Sequence, residues 1–302
     1  MAASPTRSGS PGGFCAGRMP SLSAAAYLIP SVAMLGLILL SPVAYALWFS
    51  LQQIDYGAPV GFVGLANFRA LLDDPSLAPM LGRTLVFTAG SVLLAVVAAL
   101  ALACWIDRLR GRLAVVVQLL AILPWIISAV VATLLFRWVF VHDLGLSFAA
   151  LRALGVSPVQ PLSDPEGAMA LLILVAAWKR IGYAVIVLLA GLKSVPAELG
   201  EAARIDGARP WQQFAFVTLP LLRGPLVLVT IVLTLSNLNT VETPLVLTGG
   251  GPAGATRVLP IEIYERAFVN FDLAGATTLA LAAFALNLVM VLAYVRLVRL
   301  HV

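Results

Sequence analysis

The connection between the fourth and fifth apolar stretches of the chain reads KSVPAELGEAARIDGARPWQQFAFVTLP, from Lys193 to Pro220. Connections within helical bundles are usually much shorter, at about 2–8 residues. Ser194 can cap the start of a helix, Pro196 suits a first helical turn, and Gly207 is placed to stop a helix. This pattern predicts a short polar helix between two long apolar segments.

Six apolar stretches surround this connection, and each is long enough to cross a bilayer, which takes about 20 apolar residues. They cover residues 24–50, 84–106, 113–140, 167–192, 219–241 and 273–296. We therefore predict an all-α membrane protein with six transmembrane helices. Residues 1–23, rich in Ser, Pro and Gly, are predicted to form a flexible cytoplasmic tail before a six-span domain of residues 24–302.

The composition supports a membrane protein. Of the 302 residues, 61% are hydrophobic and 11% are charged, and the mean hydropathy is +1.00. Soluble domains contain about 45–50% apolar and about 25% charged residues. The composition therefore excludes an ordinary water-soluble enzyme, and six spans leave no room for a large soluble domain.

Lysine and arginine residues set the predicted orientation, because positive residues are retained on the cytoplasmic side of a membrane. With the N-terminus inside, the cytoplasmic tails and loops hold 11 of the 19 basic residues, and 10 of the 14 acidic residues lie outside. Both termini are therefore predicted in the cytoplasm. This topology accounts for the net charge of +5, and the sequence offers no soluble basic face for a nucleic acid.

Residue types that carry catalysis or bind metals are rare in this sequence. The histidines are His142 and His301, and the cysteines are Cys15 and Cys104, so no metal constellation and no catalytic set can be assembled. A phosphate-binding loop ends in Gly-Lys-Ser or Gly-Lys-Thr, and neither lysine of the chain stands in such a motif. If ATP drives this protein, another chain binds it.

Lys179 and Arg180 lie near the middle of the fourth apolar stretch, beside Trp178 and Tyr183. Each charge costs roughly 2.5–3.5 kcal/mol on insertion scales, so a cavity or a protein partner is expected around it rather than lipid. In one interpretation these residues line a substrate path, since aromatic faces suit sugar rings and a cation suits a phosphate or sulfonate group. In the other interpretation the cations form a structural ion pair, with Glu242 or with a partner subunit.

The end of the fifth stretch carries a second polar group, which consists of Ser236, Asn237, Asn239 and Glu242. Asn239 and Glu242 are three residues apart and are expected to share a helix face. That face can point into the same path. The alternative is hydrogen bonding between helices.

The predicted helix around Glu201 has Ala202 and Ala203 between charged residues. Such a helix buries too little apolar surface to be stable alone, so we expect it to dock into the groove of a partner. The alternative is a solvated helix without a partner.

This connection resembles the hallmark of the inner-membrane permeases of binding-protein-dependent ABC transporters. Their motif is Glu-Ala-Ala, three residues, Gly, nine residues, an aliphatic residue, any residue and Leu-Pro. The matching residues are Glu201-Ala202-Ala203, Gly207, Val217 and Leu219-Pro220. Further matches lie at Val63–Phe68, Leu123–Trp125, Ala190–Leu192 and Leu247–Pro252. The sequence is most similar to the carbohydrate-uptake branch, which imports maltose-type sugars or glycerol phosphates.

The resemblance implies a type I importer permease fold with a cytoplasmic coupling helix between spans four and five, in the coupling loop 193–220. The residues implied in coupling to the ATPase are Glu201, Ala202, Ala203, Asp206 and Gly207. Glu201 would make the polar contact and Asp206 would support the turn. Gly207 would let the backbone leave the helix.

The resemblance also implies the function and the partners. The chain would be a non-catalytic subunit without a cofactor that forms half of a translocation pathway for a carbohydrate-like substrate. Its partners would be a second homologous permease, two copies of a cytoplasmic ABC ATPase that bind ATP and Mg, an extracytoplasmic solute-binding protein and membrane lipid. The implied location is the cytoplasmic (inner) membrane of a bacterium or archaeon.

An ion-coupled secondary carrier is the main alternative. It would need intramembrane carboxylates for ion coupling and often shows inverted repeats, whereas the six stretches offer only Glu242, near one end. An intramembrane enzyme would need paired carboxylates, a histidine cluster or a Ser-His set, and none is visible in the sequence.

Overall fold

The computed structural model describes residues 22–55, 58–141, 145–155 and 160–299. Residues 1–21, most of the predicted N-terminal tail, lie outside the described residues. The chain divides into two units, Met1–Trp48 and Phe49–Val302. In the first unit the structure describes the greater part of helix α1 (Leu22–Ser50), which contains two prolines and no charged residue. All other elements belong to the second unit.

Helices dominate the second unit. Among its described residues the strands are β1 (Gln52–Asp55) and β2 (Ala58–Phe62). Its helices are α2 (Ala66–Leu72), α3 (Leu77–Arg108), α4 (Gly111–Ile126), α5 (Ala129–Phe140), α6 (Leu146–Ala153), α7 (Pro165–Lys193), α8 (Ala197–Ile205), α9 (Pro210–Gln213), α10 (Leu219–Leu221), α11 (Arg223–Leu238), α12 (Glu242–Leu247), α13 (Leu259–Tyr264) and α14 (Leu273–Arg299). Two π-helical turns follow α9 and α13, namely π1 (Phe214–Thr218) and π2 (Glu265–Val269).

Helix length and composition agree with a membrane-spanning chain. In the described residues, 4 helices are long and apolar enough to cross a bilayer, namely α1, α3, α7 and α14. Two bent pairs, α4 with α5 and α9–α10 with α11, bring the number up to 6 if each pair is one span. The all-α prediction is confirmed, and the number of six spans stays a prediction.

The third apolar stretch, predicted as one span, contains a break. α4 ends at Ile126 and α5 begins at Ala129, with a bend of 95° between them. Ile127 and Ser128 are extended, with ψ of 141° and 136°. Pro124 in the last turn of α4 has no amide hydrogen and cannot continue the hydrogen-bond ladder, which weakens the helix just before the break.

The fifth apolar stretch starts later than predicted. Its helix, α11, begins at Arg223 after a bend of 67°, whereas the apolar sequence begins at Leu219. Leu222, with φ of −82° and ψ of 0°, takes the chain off the helical path. The segment before the bend, α9 to α10, therefore belongs to the connection rather than to a straight span.

The same stretch also ends earlier than predicted. α11 ends at Leu238 and α12 begins only at Glu242. Pro244 has no amide hydrogen to donate to the carbonyl oxygen of Thr240, which weakens a continuous helix in this region. Asn239 lies in this interruption and Glu242 is the first residue of α12, so the two residues do not belong to one helix. The prediction that they share a helix face is wrong.

α7 lies at the centre of the second unit, in contact with α3, α4, α5, α11 and α12. Small side chains let α3 approach it closely, because interfaces between membrane helices depend on van der Waals packing. This stripe of α3 consists of Ala95, Ala99 and Ala103, all fully buried. α4 approaches α7 closely at Gly182, where a Cβ atom would lie 2.9 Å from the carbonyl oxygen of Ala121 and 3.0 Å from Cα of Ile122.

An antiparallel hairpin of β1 and β2 precedes α2. The side chain of Asn67 stabilises the start of this hairpin. Its Nδ2 donates hydrogen bonds to the carbonyl oxygens of Ser50 at 2.8 Å and Gln52 at 2.9 Å. The turn into α2 uses Gly64, whose φ of +59° is in the left-handed region that glycine adopts readily. These contacts give Gly64 and Asn67, two residues of the Val63–Phe68 segment, a structural role.

A cluster of ion pairs ties the segment before α3 to α13 and π2. Glu262 is at its centre, with its carboxylate oxygens 2.7 Å from Nε of Arg257 and 2.8 Å from Nε of Arg266. Arg266 also contacts Asp74 at 2.8 Å, and Arg257 also pairs with Glu265. Hydrogen bonds from Ser76, followed by the hydrogen bond from Arg266, hold the pKa of Asp74 below its ordinary value.

Asp74→Asn is expected to lower the melting temperature most near neutral pH and to have no effect in strong acid. The pKa of Asp74 is lower in the folded protein than in the unfolded chain. Its ionised carboxylate therefore stabilises the fold above the ordinary pKa, and this contribution is lost as the pH falls through the lowered value. Melting temperatures of the wild-type protein and the variant in detergent, over a pH series, measure this difference.

Asp73→Asn is the matched control for that series. The carboxylate of Asp73 is exposed and makes no hydrogen bond or ion pair within the part of the chain that the structure describes. A destabilisation by Asp74→Asn that stays constant on acidification would contradict the proposed role of the ionised carboxylate.

Candidate functional site

The predicted polar helix exists as α8, from Ala197 to Ile205. Pro196 is its N-cap residue. Ser194, which the sequence suggested as the cap of this helix, instead closes the end of α7, where its Oγ donates to the carbonyl oxygen of Gly191 at 2.7 Å. The prediction for Ser194 is wrong because α8 begins at Ala197, two residues too late for Ser194 to be its N-cap residue.

The end of α8 is a Schellman motif. The amide of Ala208 donates to the carbonyl oxygen of Ala203 at 2.9 Å, and the amide of Gly207 donates to that of Arg204 at 3.1 Å. Gly207 has a φ of +81°, as this motif requires of the residue after the cap. The amide of Asp206 donates to the carbonyl oxygen of Ala202. The turn is therefore closed by main-chain bonds, and the carboxylate of Asp206 makes no hydrogen bond within the described residues.

The surface of α8 is open. Glu201, Ala202 and Asp206 are exposed, and Ala203 is half-buried against the rest of the connection. Exposed apolar side chains accompany them on α8 and on the segment that follows it. We call this surface the loop patch; it consists of Leu199, Ile205, Trp211 and Phe216, with Ile205 87% exposed. Exposed apolar patches mark sites of interaction with a protein or a membrane.

Aromatic residues of α7 pack against the broken pair α4 and α5. The ring of Trp178 meets that of Phe136 edge to face, with centroids 5.0 Å apart. The ring of Tyr183 lies 5.9 Å from that of Trp125. Both predicted path residues, Trp178 and Tyr183, are thus half-buried in contacts between helices.

Lys179 reaches the break between α4 and α5. Its Nζ donates to the carbonyl oxygen of Pro124 at 3.0 Å and to that of Ile127. The side chain is buried, with 9% exposure. The sequence left open an ion pair between Lys179 and Glu242. Lys179 does not form this pair, because within the described residues its ammonium group is bound by carbonyl oxygens.

Arg180 reaches a different region, the end of α11. Its Nη2 donates to Oγ1 of Thr240 at 2.7 Å, and its Nε lies 3.4 Å from Oγ of Ser236. Nη1 donates to the carbonyl oxygen of Ala176, one turn back on α7, at 3.1 Å. Arg180 therefore joins a group of polar residues at this end of α11.

This group contains the polar side chains between α11, α12 and α14. We call it the polar cluster; it consists of Arg180, Ser236, Asn239, Thr240, Glu242 and Asn287. Nδ2 of Asn239 donates to the carbonyl oxygen of Leu235 at 2.7 Å and lies 3.4 Å from Oδ1 of Asn287. Ser236, Asn239 and Glu242 are exposed in the isolated chain. Hydroxyl, amide, guanidinium and carboxylate groups together can donate and accept hydrogen bonds with a polar solute.

Asn237 does not join the polar cluster. It is fully buried, and its amide atoms make no hydrogen bond within the part of the chain that the structure describes. The sequence grouped Asn237 with Asn239, but the two residues point to different sides of α11. Thr240 and Asn287 belong to the cluster without having been predicted as site residues. Asn287 is a rare amide within the last apolar stretch, which was a usable signal, whereas threonine is common in membrane helices and gave none.

The part of the chain that carries these two surfaces matches a known protein family. Residues 91–300 match the family described as the binding-protein-dependent transport system inner membrane component. The matched range contains α8, the loop patch and the whole polar cluster.

Two relatives match most of the chain. The sulfoquinovosyl glycerol transport system permease protein SmoG of Agrobacterium fabrum (strain C58 / ATCC 33970) is 32% identical over 281 residues, which are 92% of this chain and 91% of that protein. The sn-glycerol-3-phosphate transport system permease protein UgpA of Brucella abortus biovar 1 (strain 9-941) is 35% identical over 253 residues, which are 83% of this chain and 85% of that protein.

Solved structures share the fold. A bacterial ABC transporter involved in the import of the acidic polysaccharide alginate superimposes with a TM-score of 0.79 at 24% identity, over 91% of this chain and 94% of that chain. A bacterial alginate ABC transporter in complex with an alginate pentasaccharide-bound periplasmic protein gives 0.78, also at 24% identity, over 89% of this chain and 91% of that chain. The predicted type I importer permease fold is confirmed.

Proposed function

The chain belongs to the binding-protein-dependent transport system inner membrane component family, and from this premise we propose that it is one permease subunit of an ATP-driven importer for a carbohydrate or carbohydrate-like solute. It would form half of the translocation pathway. The observation that carries the proposal is α8, an exposed helix that ends in a fixed turn outside the long apolar helices. Nothing in the family match or in the names of the relatives favours an ion-coupled carrier.

We propose α8 as the coupling helix. Glu201 is exposed and makes no side-chain hydrogen bond or ion pair within the described residues, so it can make a polar contact with a partner. The loop patch offers apolar side chains for a groove on a cytoplasmic ABC ATPase. Gly207 sets the direction in which the chain leaves the helix, so that the position of α8 is tied to α11. In this proposal ATP and Mg are bound by the ATPase, and this chain performs no chemistry on the substrate.

We propose the polar cluster as a part of the substrate path. Its members would be costly if they faced lipid, which favours a water-filled path or a partner subunit around them. The amide groups of Asn239 and Asn287 suit the hydroxyls of a polyol or a sugar. Arg180 suits an anionic substituent, since a guanidinium binds phosphate and sulfonate groups well. The names of the two relatives include a sulfonated sugar glycoside and a glycerol phosphate, and both solutes combine hydroxyls with an anion.

The remaining parts of the importer follow from the family. The chain is an inner-membrane component, and we propose that both termini lie in the cytoplasm. A second homologous permease, two ATPase copies and an extracytoplasmic solute-binding protein would complete the transporter. The solved alginate importer in complex with a periplasmic protein supports the last of these partners by analogy of fold.

Affinity purification of the tagged chain from its native membrane at low salt, followed by mass spectrometry, tests the proposal. We expect a second permease and an ABC ATPase to copurify. A solute-binding protein captured with the complex can then be screened with sugars, polyols and glycerol phosphates to identify the substrate. Recovery of a homo-oligomer without an ATPase would contradict the proposed function.

Asn239→Leu is expected to raise the KM for uptake by about tenfold, because a lost hydrogen bond to the solute costs roughly 1–2 kcal/mol. The ATPase rate at saturating solute should stay near the wild-type value. Uptake kinetics of the reconstituted transporter, with the solute identified above, measure both quantities.

Gln118→Leu is the matched control for Asn239→Leu. Gln118 is a half-buried amide of α4 whose side chain makes no hydrogen bond within the described residues, and it lies outside the polar cluster. Its KM should equal that of the wild-type transporter. An unchanged KM for Asn239→Leu would remove Asn239 from the proposed path.

A further inference from the structure

One unbroken helix, α7, meets two interrupted ones. The first break lies between α4 and α5 and consists of Ile127 and Ser128. The second break lies between α11 and α12 and consists of residues 239–241. Two adjacent residues of α7 bind these breaks, Lys179 the first and Arg180 the second. Adjacent residues of a helix point about 100° apart, so a single position along α7 can reach both neighbours.

The contacts at the first break replace hydrogen bonds that the helix has lost. The last four carbonyl groups of a helix have no partner within it, and they carry a partial negative charge. At the end of α4, the carbonyl oxygens of Pro124 and Ile127 are bound by the ammonium group of Lys179. The break is therefore closed by a cation that comes from another helix, more than fifty residues away in the sequence.

The contacts at the second break form a relay. Arg180 donates to the hydroxyl of Thr240 at 2.7 Å, and this hydroxyl in turn lies 2.6 Å from the carbonyl oxygen of Ser236, to which it donates. The guanidinium group thus binds the end of α11 through a side chain of the break itself. Both cations have neutral acceptors, which can be exchanged without leaving an opposite charge buried and unpaired.

The segments beyond the two breaks contact each other. α5 packs against α12, and Nη1 of Arg137 on α5 donates to the carbonyl oxygen of Val246 near the end of α12 at 3.0 Å. α5 and α12 are thereby joined to each other at one end, and the breaks that precede them are both bound by the same turn of α7. A movement of one segment about its break must carry the other segment along.

We propose that Lys179 and Arg180 are positioning residues that make the two breaks act as paired hinges, so that α5 and α12 move together as one gate segment during transport. This inference rests on the proposed importer function. It assigns Lys179 to the hinge rather than to contact with the solute. It also gives Arg180 a second task beside its place in the polar cluster.

The test measures the movement across the first break in the reconstituted full transporter. Spin labels are attached to cysteines placed at Val115 on α4 and Leu135 on α5, whose side chains are 56% and 57% exposed. Cys15 and Cys104 are replaced by alanine beforehand. Pulsed electron resonance then gives the distance between the labels without nucleotide and with an ATP analogue that is not hydrolysed. We expect two different distances in the wild-type background.

Arg180→Met is the decisive variant. Within the described residues Arg180 contacts the second break and its own helix, yet the labels flank the first break. If the hinges are paired, Lys179→Met abolishes the nucleotide-dependent shift in distance at the first break. Arg180→Met is then expected to abolish the same shift. A purely local role of Arg180 would leave the shift intact, and that result would overturn the proposal.

One further variant is used if the methionine variants do not assemble, and another controls for the loss of a positive charge elsewhere. If the methionine variants do not assemble, Arg180→Lys is measured instead. A compact ammonium group cannot bind the hydroxyls of both Ser236 and Thr240 as the guanidinium group does. An unchanged shift in distance in Arg180→Lys would also overturn the proposal. Arg112→Met removes an exposed cation of α4 that makes no hydrogen bond within the described residues. It should keep the wild-type shift, and loss of the shift in this control would count against the hinge.

ATP-driven uptake by the same wild-type proteoliposomes distinguishes a failure of the proposed function from a failure of the paired hinges. Absence of uptake would contradict the proposed function itself. Uptake without any change in the distance between the labels would leave that function in place and overturn the paired hinges alone.

Discussion

Gly207→Val is expected to reduce ATP-driven uptake by at least about tenfold while the transporter still assembles in the membrane. Gly207 has a φ of +81°, and a Cβ atom added there meets nothing within 4 Å, so the effect comes from the backbone and not from a clash. A branched residue in the left-handed region costs about 1–2 kcal/mol, which corresponds to roughly a tenfold shift in an equilibrium. The turn after α8 would open, and the helix would no longer hold its docking position.

The measurement compares uptake and ATPase activity in proteoliposomes with equal amounts of assembled transporter. Gly111→Val is the matched control, because Gly111 also has a positive φ, of +64°, and also has nothing within 4 Å of its added Cβ. It lies at the start of α4 and outside the connection that carries α8, so the variant should suffer the same backbone strain and retain coupling. Equal loss of uptake in both variants would mean that the effect of Gly207→Val is general destabilisation.

Gly182→Ala is expected to lower the melting temperature of the protein by roughly 5 °C, in line with overpacking costs of about 1–3 kcal/mol. The added Cβ would lie 2.9 Å from the carbonyl oxygen of Ala121, 3.0 Å from Cα of Ile122 and 3.0 Å from Cβ of Trp125. Two of these are main-chain atoms of α4 and cannot move aside alone. α4 would be displaced from α7, and the bonds of Lys179 at the first break would lengthen with it.

Gly90→Ala is the matched control for Gly182→Ala, because its added Cβ would meet a side chain rather than the main chain. Its Cβ would also meet an atom at 2.9 Å, but this atom is Cδ1 of Ile173, the far end of a flexible side chain. The same substitution at the same distance should therefore be much less destabilising. Melting curves of both variants in detergent measure the difference. An equal or larger loss in Gly90→Ala would contradict the expectation that the main chain of α4 yields less than the side chain of Ile173.

Local signals were sufficient for α8. A polar helix, stopped at Gly207, follows from capping and backbone rules that act within a few residues, and the structure confirms both. Ser194 shows the limit of these rules. A serine between two helices can close the first or open the second, and the choice depends on where the second helix begins, which sequence rules place only to within a few residues.

Lys179 shows a second limit. A lysine within a membrane helix needs a group that binds its ammonium. The sequence offered Glu242 and a partner subunit as candidates for that group. The actual acceptors, the carbonyl oxygens of Pro124 and Ile127, exist only because α4 breaks at that point and lies against α7. A main-chain acceptor has no residue type, so it leaves no mark in the sequence.

Asn237 and Asn239 show a third limit, which is the rotation of a helix about its axis. Both are amides near the end of the same apolar stretch, and nothing local separates them. Two positions along a helix correspond to roughly 200° of rotation, so one amide is fully buried and the other is exposed. Which of them faces the polar cluster depends on how α11 packs against α3 and α7.

The sequence by itself determined the membrane class, the all-α content, the short helix with its glycine turn and the family, because each rests on composition or on contacts within one or two helical turns. The tertiary structure alone decided the positions of the bends, the separate targets of Lys179 and Arg180, and the membership of the polar cluster. These features join segments that are more than forty residues apart. They depend on helix rotation and on main-chain atoms freed by breaks, and neither is encoded in a local pattern of side chains.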